Sequence, residues 1–470
     1  MLRLERRRGG KREYFQLELD GTSLVLRSGK GKSTRAQKLR EIHHETTRAA
    51  QADAYNKFEA RLAKGFAQVE RSRWELAPLD PELVPRAPEL EAALRTDLSD
   101  AAAWAVYADW LATQDAVWGE RLALELGERN TGQLSRLDRL RAEHGVRWYG
   151  PDLDRLRARE DLGHMLLCDL RHGFITTATL RTAGLDNRHW GNPSLDFVLA
   201  ALLRAPAARL LRYLKIHVDP DPREGRLEAC MDVLRSQGEL DGLRVLNFES
   251  SIRWPLTTRL GPLCPLLERA PELRHLTLHG YDVELEPLVH PELQWLRLET
   301  QCLPRASIEA LAHSELPACE RVELGLGRWG ASGPALVEAL EPLLEGRVAP
   351  RLRHLTLRDT DLGDALFERL FRSPLAAQIE QLSLCSSELS DASVRRLIEH
   401  IDRFPALQTL KLSGNALSRA SEGDLYRLRN SKVVATKLRR VDFYPEPTSE
   451  LTPDKRELPR YWPQKDPPLP

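Results

Sequence analysis

Leu352-Arg353-His354-Leu355-Thr356-Leu357-Arg358-Asp359-Thr360-Asp361-Leu362 places four leucines in the frame L-x-x-L-x-L-x-x-x-x-L. The frame returns at Ile379, Leu382, Leu384 and Leu389, and again at Leu407, Leu410, Leu412 and Leu417. Toward the N-terminus it is found at Cys319, Val322 and Leu324, at Leu293, Leu296, Leu298 and Leu303, and at Leu273, Leu276, Leu278 and Val283. Further copies are Leu243, Leu246 and Phe248, then Leu211, Leu214 and Ile216, then Ile175, Ala178, Leu180 and Leu185. Leu438, Val441 and Phe443 read as a closing strand. Ten starts spread from residue 175 to residue 438 give a mean spacing of about 29 residues.

Each copy splits into two kinds of local structure. The x-L-x-L-x core alternates, so it reads as a short strand with its leucines turned inward. The remainder is long enough for a helix: Ser390-Asp391 precede Val394, Leu397, Ile398 and Ile401 at helical spacing, behind an N-cap residue. Asp364, Leu366, Phe367, Leu370 and Phe371 read the same way. One such unit cannot bury its apolar face alone, so neighbours must stack. The pattern resembles the leucine-rich repeat, with Asn415 where that family places its asparagine. The resemblance implies an α/β solenoid over residues 175–444, with parallel strands inside and helices outside.

The rest of the chain divides by composition. The 470 residues carry 69 basic and 69 acidic side chains, yet residues 1–75 hold a surplus of eight positive charges and the remainder a matching negative one. Six cysteines without a C-x-x-C spacing do not form a disulfide framework and read as reduced core residues of a cytoplasmic protein. The Arg-rich N-terminus lacks the apolar stretch of a signal peptide. No apolar run approaches the roughly 18 residues of a membrane span.

Residues 1–75 read as a small α+β domain. Tyr14 to Leu19 alternates, Asp20-Gly21 signals a hairpin turn, and Ser23 to Arg27 alternates again. A helix is predicted from about Glu45 to Lys64, with Gly65 as its C-cap. This order resembles the WGR domain, found in poly(ADP-ribose) polymerases and in many bacterial proteins. Leu17-Glu18-Leu19-Asp20-Gly21 and Leu62-Ala63-Lys64-Gly65-Phe66 carry the likeness. Where the family has Trp-Gly-Arg this chain has Ser28-Gly29-Lys30, so the DNA-end contact implied by the family loses its tryptophan. Arg27, Lys30, Lys32, Arg35, Lys38 and Arg40 still form a basic cluster able to meet phosphates. Gly31-Lys32-Ser33 is not a phosphate loop, because Leu26 stands where its first glycine belongs.

A proline-rich linker follows at 76–88, and a helical domain at 89–174. Glu89 to Glu120 reads as two helices broken at Thr96-Asp97-Leu98-Ser99-Asp100. Asp100 is the cap of the second, and Trp104, Tyr107, Ala108 and Leu111 share one face. Val106-Tyr107-Ala108-Asp109-Trp110-Leu111 with Trp118-Gly119-Glu120 resembles a short companion domain that precedes leucine-rich repeats in bacterial paralogue families. Asp109 reads there as an exposed or capping carboxylate. Helix is predicted to continue through 121–174, which would put His164, Cys168 and His172 on one helical face without the fourth ligand of a structural zinc site. Residues 445–470 hold eight prolines and read as an extended tail.

The function predicted is that of a non-enzymatic protein-binding scaffold. A solenoid presents its outward strand residues as one surface. Here these include Tyr213, Lys215, His217, His275, Trp295, Arg297, Arg321, His354, Arg358 and Lys411. Aromatics mixed with both charge signs suit a protein partner, with Trp295 foremost as an exposed tryptophan. The alternative is a regulatory protein that meets nucleic acid, weakly, through the basic head. No catalytic pairing, cofactor motif or metal set is read in the chain.

Overall fold

The computed structural model describes residues 2–8, 11–20, 23–30, 38–44, 63–68, 75–78, 85–127, 130–158, 165–181, 193–218, 227–238, 240–250, 260–280, 283–300, 303–327, 333–415, 417–430 and 440–442, with isolated positions at 53, 56, 57, 60, 61 and 163. The chain divides into two compact units, residues 1–326 with 338–352, and residues 327–337 with 353–470.

The first unit begins with a sheet of strands β1 (Leu2–Arg8), β2 (Lys11–Asp20), β3 (Ser23–Lys30), β4 (Lys38–His43) and β5 (Ala67–Gln68), ordered β4-β3-β2-β1-β5. The predicted antiparallel pairing is there, with Asp20 opposite Ser23; Gly21 and Thr22 lie outside the described residues. Strands β1, β4 and the short β5 are additional to the two that alternation reveals. Leu4, Phe15, Leu17, Leu24 and Phe66 form the core of this sheet. The glycine of Ser28-Gly29-Lys30 has a packing reason: it pairs with Tyr14, and a Cβ there would lie 2.6 Å from the tyrosine ring.

Four helices follow: α1 (Pro88–Thr96), α2 (Ala101–Gln114), α3 (Ala116–Leu126) and α4 (Thr131–Arg157). Asp100 caps α2 as predicted, accepting from the Ala102 and Ala103 amides at 2.8 and 3.0 Å. A second break is added at Asp115, whose carboxylate accepts from the Val117 and Trp118 amides and starts α3. Gly119 then lets α3 pack onto α2, since any Cβ would fall on the Ala112 backbone.

Residues 166–171, expected to be helical, instead form strand β6 (Leu166–Arg171), which returns antiparallel as β7 (Phe174–Arg181). The turn between them explains the difference. His172 and Gly173 both adopt the left-handed conformation, φ 47° and 83°, which no helix tolerates. Cys168 therefore sits on a strand and His172 in a turn, so the helical His-Cys-His face does not exist; His164 lies outside the described residues.

From β7 the first unit's sheet is parallel, running through β8 (Tyr213–Val218), β9 (Val245–Ser250), β10 (His275–His279), β11 (Trp295–Glu299) and β12 (Arg321–Gly327). Its inward residues lie in rows, Leu214-Leu246-Leu276-Leu296 and Ile216-Phe248-Leu278-Leu298, all essentially without solvent exposure. Between strands run α5 (Leu195–Arg204), α6 (Leu227–Ser236), α7 (Cys264–Arg269) and α8 (Arg305–Ala312). Phe174 of β7 is seated among Trp104, Tyr107 and Trp118 of the helices, with ring centroids 5.5 to 5.8 Å away. Two buried arginines lock this junction. Arg121 lies over the Trp148 ring and donates to the Gly173 carbonyl at 2.7 Å. Arg209 donates to Glu91 at 3.0 Å and to the Pro85 carbonyl at 2.7 Å.

In the second unit, β13 (His354–Thr360), β14 (Gln381–Ser383), β15 (Thr409–Lys411) and β16 (Arg440–Asp442) pair in parallel. Of the two helices earlier in sequence, α9 (Gly333–Ala339) is divided between the units and α10 (Glu341–Leu344) belongs to the first; α11 (Gly363–Arg372), α12 (Asp391–Glu399) and α13 (Arg419–Asn430) follow β13, β14 and β15. The repeat expresses itself here as a repeated backbone. Asp359, Ser386 and Gly414 each stand four residues after the central leucine of their strand, and all three have positive φ. Asn415 binds across the turns: its Oδ1 accepts from the Ser387 and Leu389 amides, and its Nδ2 donates to the Leu384 and Leu412 carbonyls. The described chain is thus α/β with mostly parallel strands.

Candidate functional site

Parallel pairing in strict register turns alternate residues into columns, because side chains at matched positions share a face. Across the first unit the first outward column runs Thr177, Tyr213, Val245, His275, Trp295, Arg321. The second runs Thr179, Lys215, Asn247, Thr277, Arg297, Glu323. A third begins with Arg181, His217 and Glu249, and pairs His279 with Glu299. Seven of the predicted residues, Tyr213, Lys215, His217, His275, Trp295, Arg297 and Arg321, therefore lie on one face of one sheet. His354, Arg358 and Lys411 lie on the strands of the second unit, His354 in line with Gln381 and Thr409, and Lys411 with Ser383 and Thr356.

These residues do not stand in open water as an exposed tryptophan or arginine would. All ten are half-buried. Trp295, expected to be exposed, has His275 edge-on with ring centroids 5.5 Å apart, and the Arg321 guanidinium 4.3 Å from its own centroid. Its indole N–H is buried and meets no acceptor among the described residues. The Tyr213 hydroxyl accepts from Asn247 Nδ2 at 2.9 Å.

The charges are matched both within and between strands. Lys215 meets Glu249 at 2.6 Å, Arg297 meets Glu323 at 3.4 Å and also Glu299, and Arg321 meets Glu323 at 2.5 Å. Burial by itself would raise the Glu249 carboxyl. Hydrogen bonds with His217 and Lys215, and the charges of Lys215 and His279, overcome it and hold the group at about 2. Burial, then the charges of Arg274 and Arg321, push the His275 imidazole below its ordinary value, so the ring is neutral beside Trp295. What remains unneutralised on the first column is aromatic and aliphatic surface with a few donors.

Val245, Asn247 and Glu249 belong to this surface and were missed among the candidates. The frame gives them: with Leu243, Leu246 and Phe248 facing in, 245, 247 and 249 must face out.

The basic cluster of the head is divided. In the β3–β4 register Arg27 pairs with Leu39, whereas Ser28 pairs with Lys38 and Leu26 with Arg40. Arg27 thus lies on one face of the sheet, and Lys38 and Arg40 on the other. Lys30 ends β3, and Lys32 and Arg35 lie outside the described residues.

No family model matches this chain, and no curated protein matches it. Among solved structures, that of a Bacteroides fragilis protein from a structural genomics programme aligns with 94% of this chain and 95% of its own length, at 14% identity and a TM-score of 0.39. Among the described residues, no helix is long and apolar enough to cross a membrane, and no group of three or more His, Cys, Asp or Glu is placed to hold a metal ion.

Proposed function

We propose that this chain is a non-enzymatic protein-binding scaffold of the leucine-rich-repeat kind, with a WGR-like head and a helical companion domain, and that it binds its partner on the outward face of the parallel sheet. The observation that carries the reading is the first column, where Tyr213, His275 and Trp295 converge on one face between charges already matched to each other. Aromatic side chains set in a surface of neutralised charge have the composition of interface hot spots, where ring area is buried without leaving a charge unpaired. The periodic leucine frame and its Asn415 contacts support the repeat assignment.

Affinity capture from the native host tests this. Trp295→Ala should weaken recovery of the partner strongly, while Arg395→Ala, on the exposed side of α12, should leave it unchanged. Equal recovery by wild type and both variants would refute the assignment of this face. Binding of nucleic acid by the head has the thinner support of Lys38 and Arg40, both exposed on edge strand β4.

A further inference from the structure

We propose a second site, independent of the outward face: the cavity between the end of α4, the start of β6 and the start of α5 binds a small monocarboxylate whose apolar body holds about six carbons. The cavity follows from where the sheet ends. Within the sheet, each inward leucine is covered by its counterparts on the strands to either side. Among the described strands β6 pairs with β7 alone, so Leu166, opposite Leu180, lacks such a neighbour on its far side. The terminal unit of a stacked array has to be closed by other elements. Here Leu156 near the end of α4 and Val198 in the first turn of α5 close it, and their fit leaves a cavity of about 150 Å³. Met165, Leu166 and Pro193 complete its apolar walls, and all of these but Leu166 are buried. A cavity of this volume with such walls takes up a molecule the size of benzene.

Arg157 supplies the charge. It is the last residue of α4 and the only charged side chain among the described residues that line the cavity; being exposed, it stands where the cavity meets water. Its guanidinium lies over the Tyr149 ring, 3.6 Å from the centroid, and makes no hydrogen bond or ion pair among the described residues. The ring holds the group in place while leaving its N–H donors uncommitted. Asp154, the acid one turn earlier on α4, lies against Gly145 instead. A planar fork of N–H donors at the rim of an apolar cavity matches a planar carboxylate, which it meets bidentately. With one cation in the lining, the site takes one negative charge. The ligand's apolar body lies against Met165 and Val198, and its carboxylate meets Arg157.

Benzoate and hexanoate carry this chemistry on a ring and on a chain, and benzamide and hexanamide are their neutral isosteres. The whole chain, isotope-labelled at its methionine methyl groups, is titrated with each of the four. Met165 is one of three methionines, so its methyl resonance can be followed, and it should move on saturation while that of the buried Met231 stays. The tighter-binding acid should exceed its amide by about tenfold or more. A tighter benzoate assigns an aromatic body and a tighter hexanoate an aliphatic one, and both results support the site. Arg157→Met keeps the length of the side chain and should erase the preference for acid over amide, with the melting temperature of the free protein nearly unchanged. Val198→Phe fills the cavity and should abolish binding; should that variant fail to fold, the Met165 resonance of the wild-type chain still locates the ligand. Absence of saturable binding by both acids, equal affinity of acid and amide, a preference that survives Arg157→Met, or a Met165 resonance unmoved at saturation would each overturn the proposal.

Discussion

Glu91 and Arg209 are 118 positions apart in sequence, yet they meet where neither side chain reaches water, at 0% and 3% exposure. Burial alone would raise the Glu91 carboxyl; Arg209 and Arg86, with the Ala87 amide, outweigh it and leave the group below the ordinary carboxylate range. Its contribution to stability is therefore complete above the unfolded-state value near 4.5 and is lost as pH falls toward the lower folded-state value. Glu91→Ala would strand Arg209 as an uncompensated buried charge and should cost about 3–5 kcal/mol in a denaturant titration at neutral pH. A loss below about 1 kcal/mol would mean that water reaches the guanidinium. Leu382 is a simpler case: it has no exposure, and Leu382→Ala should cost about 2–5 kcal/mol through the cavity it leaves. The two residues differ in how far sequence reveals them. Leu382 is legible because stacking forces every repeat to turn the same position inward. The Glu91–Arg209 pair is not, because nothing local to either residue selects its partner. Trp295 falls between: the frame puts it outward, but only the register shows that Arg321 and His275 shelter it.

At the scale of elements, α12 and the start of α13 are each tied to the helix before by a carboxylate. Asp364, in the first turn of α11, accepts from the Ser390 amide at 2.9 Å, the Ser390 hydroxyl at 2.6 Å and the Ser393 hydroxyl at 2.6 Å, at the start of α12. Asp391 does the same one repeat later, accepting from the Ser418 amide at 2.9 Å. Ser390 as the cap of α12 was legible, whereas its hold on Asp364 was hidden by a separation of 26 residues. Burial would raise Asp364, but the serine hydrogen bonds prevail and lower it, so the clamp is intact above the model-compound value of 3.8 and weakens as pH falls below it. Asp364→Asn should destabilise by about 1–2 kcal/mol at pH 7, the lower part of the range for charged hydrogen bonds because water reaches the group. The loss should shrink progressively in melts at pH values falling below 3.8, as Asp364 becomes protonated. An equal loss at pH 7 and at the lowest of these would show that shape, not charge, makes the clamp. Strand β6 was misread for a related reason: its apolar residues suit either period, and the decisive signal was the His172-Gly173 turn, where only the glycine announces a left-handed residue.

For the molecule as a whole, the positive surplus of residues 1–75 raises the question of whether charge alone makes a nucleic-acid binder. Affinity for phosphates depends on how many cations reach one backbone together, because each neutralised phosphate releases counterions. The sequence cluster of Arg27, Lys30, Lys32, Arg35 and Lys38 suggests a concentrated patch, but pairing of β3 with β4 sends Arg27 to the face opposite Lys38 and Arg40. Ionic partners dilute the head further, as Arg6 is engaged by Glu13 at 2.6 Å and Lys57 by Asp53 at 2.6 Å. A face that neutralises about two phosphates should lose only about tenfold in affinity between 50 and 200 mM salt, against the steeper fall of a dedicated DNA-binding protein. Titration of the whole chain with duplex DNA at those two concentrations should therefore give weak binding with a shallow salt slope, reduced further by Lys38→Glu. Tight binding with a slope equivalent to six or more phosphates would show that the head gathers its cations on one surface after all, and would move the nucleic-acid reading ahead of the protein-binding one.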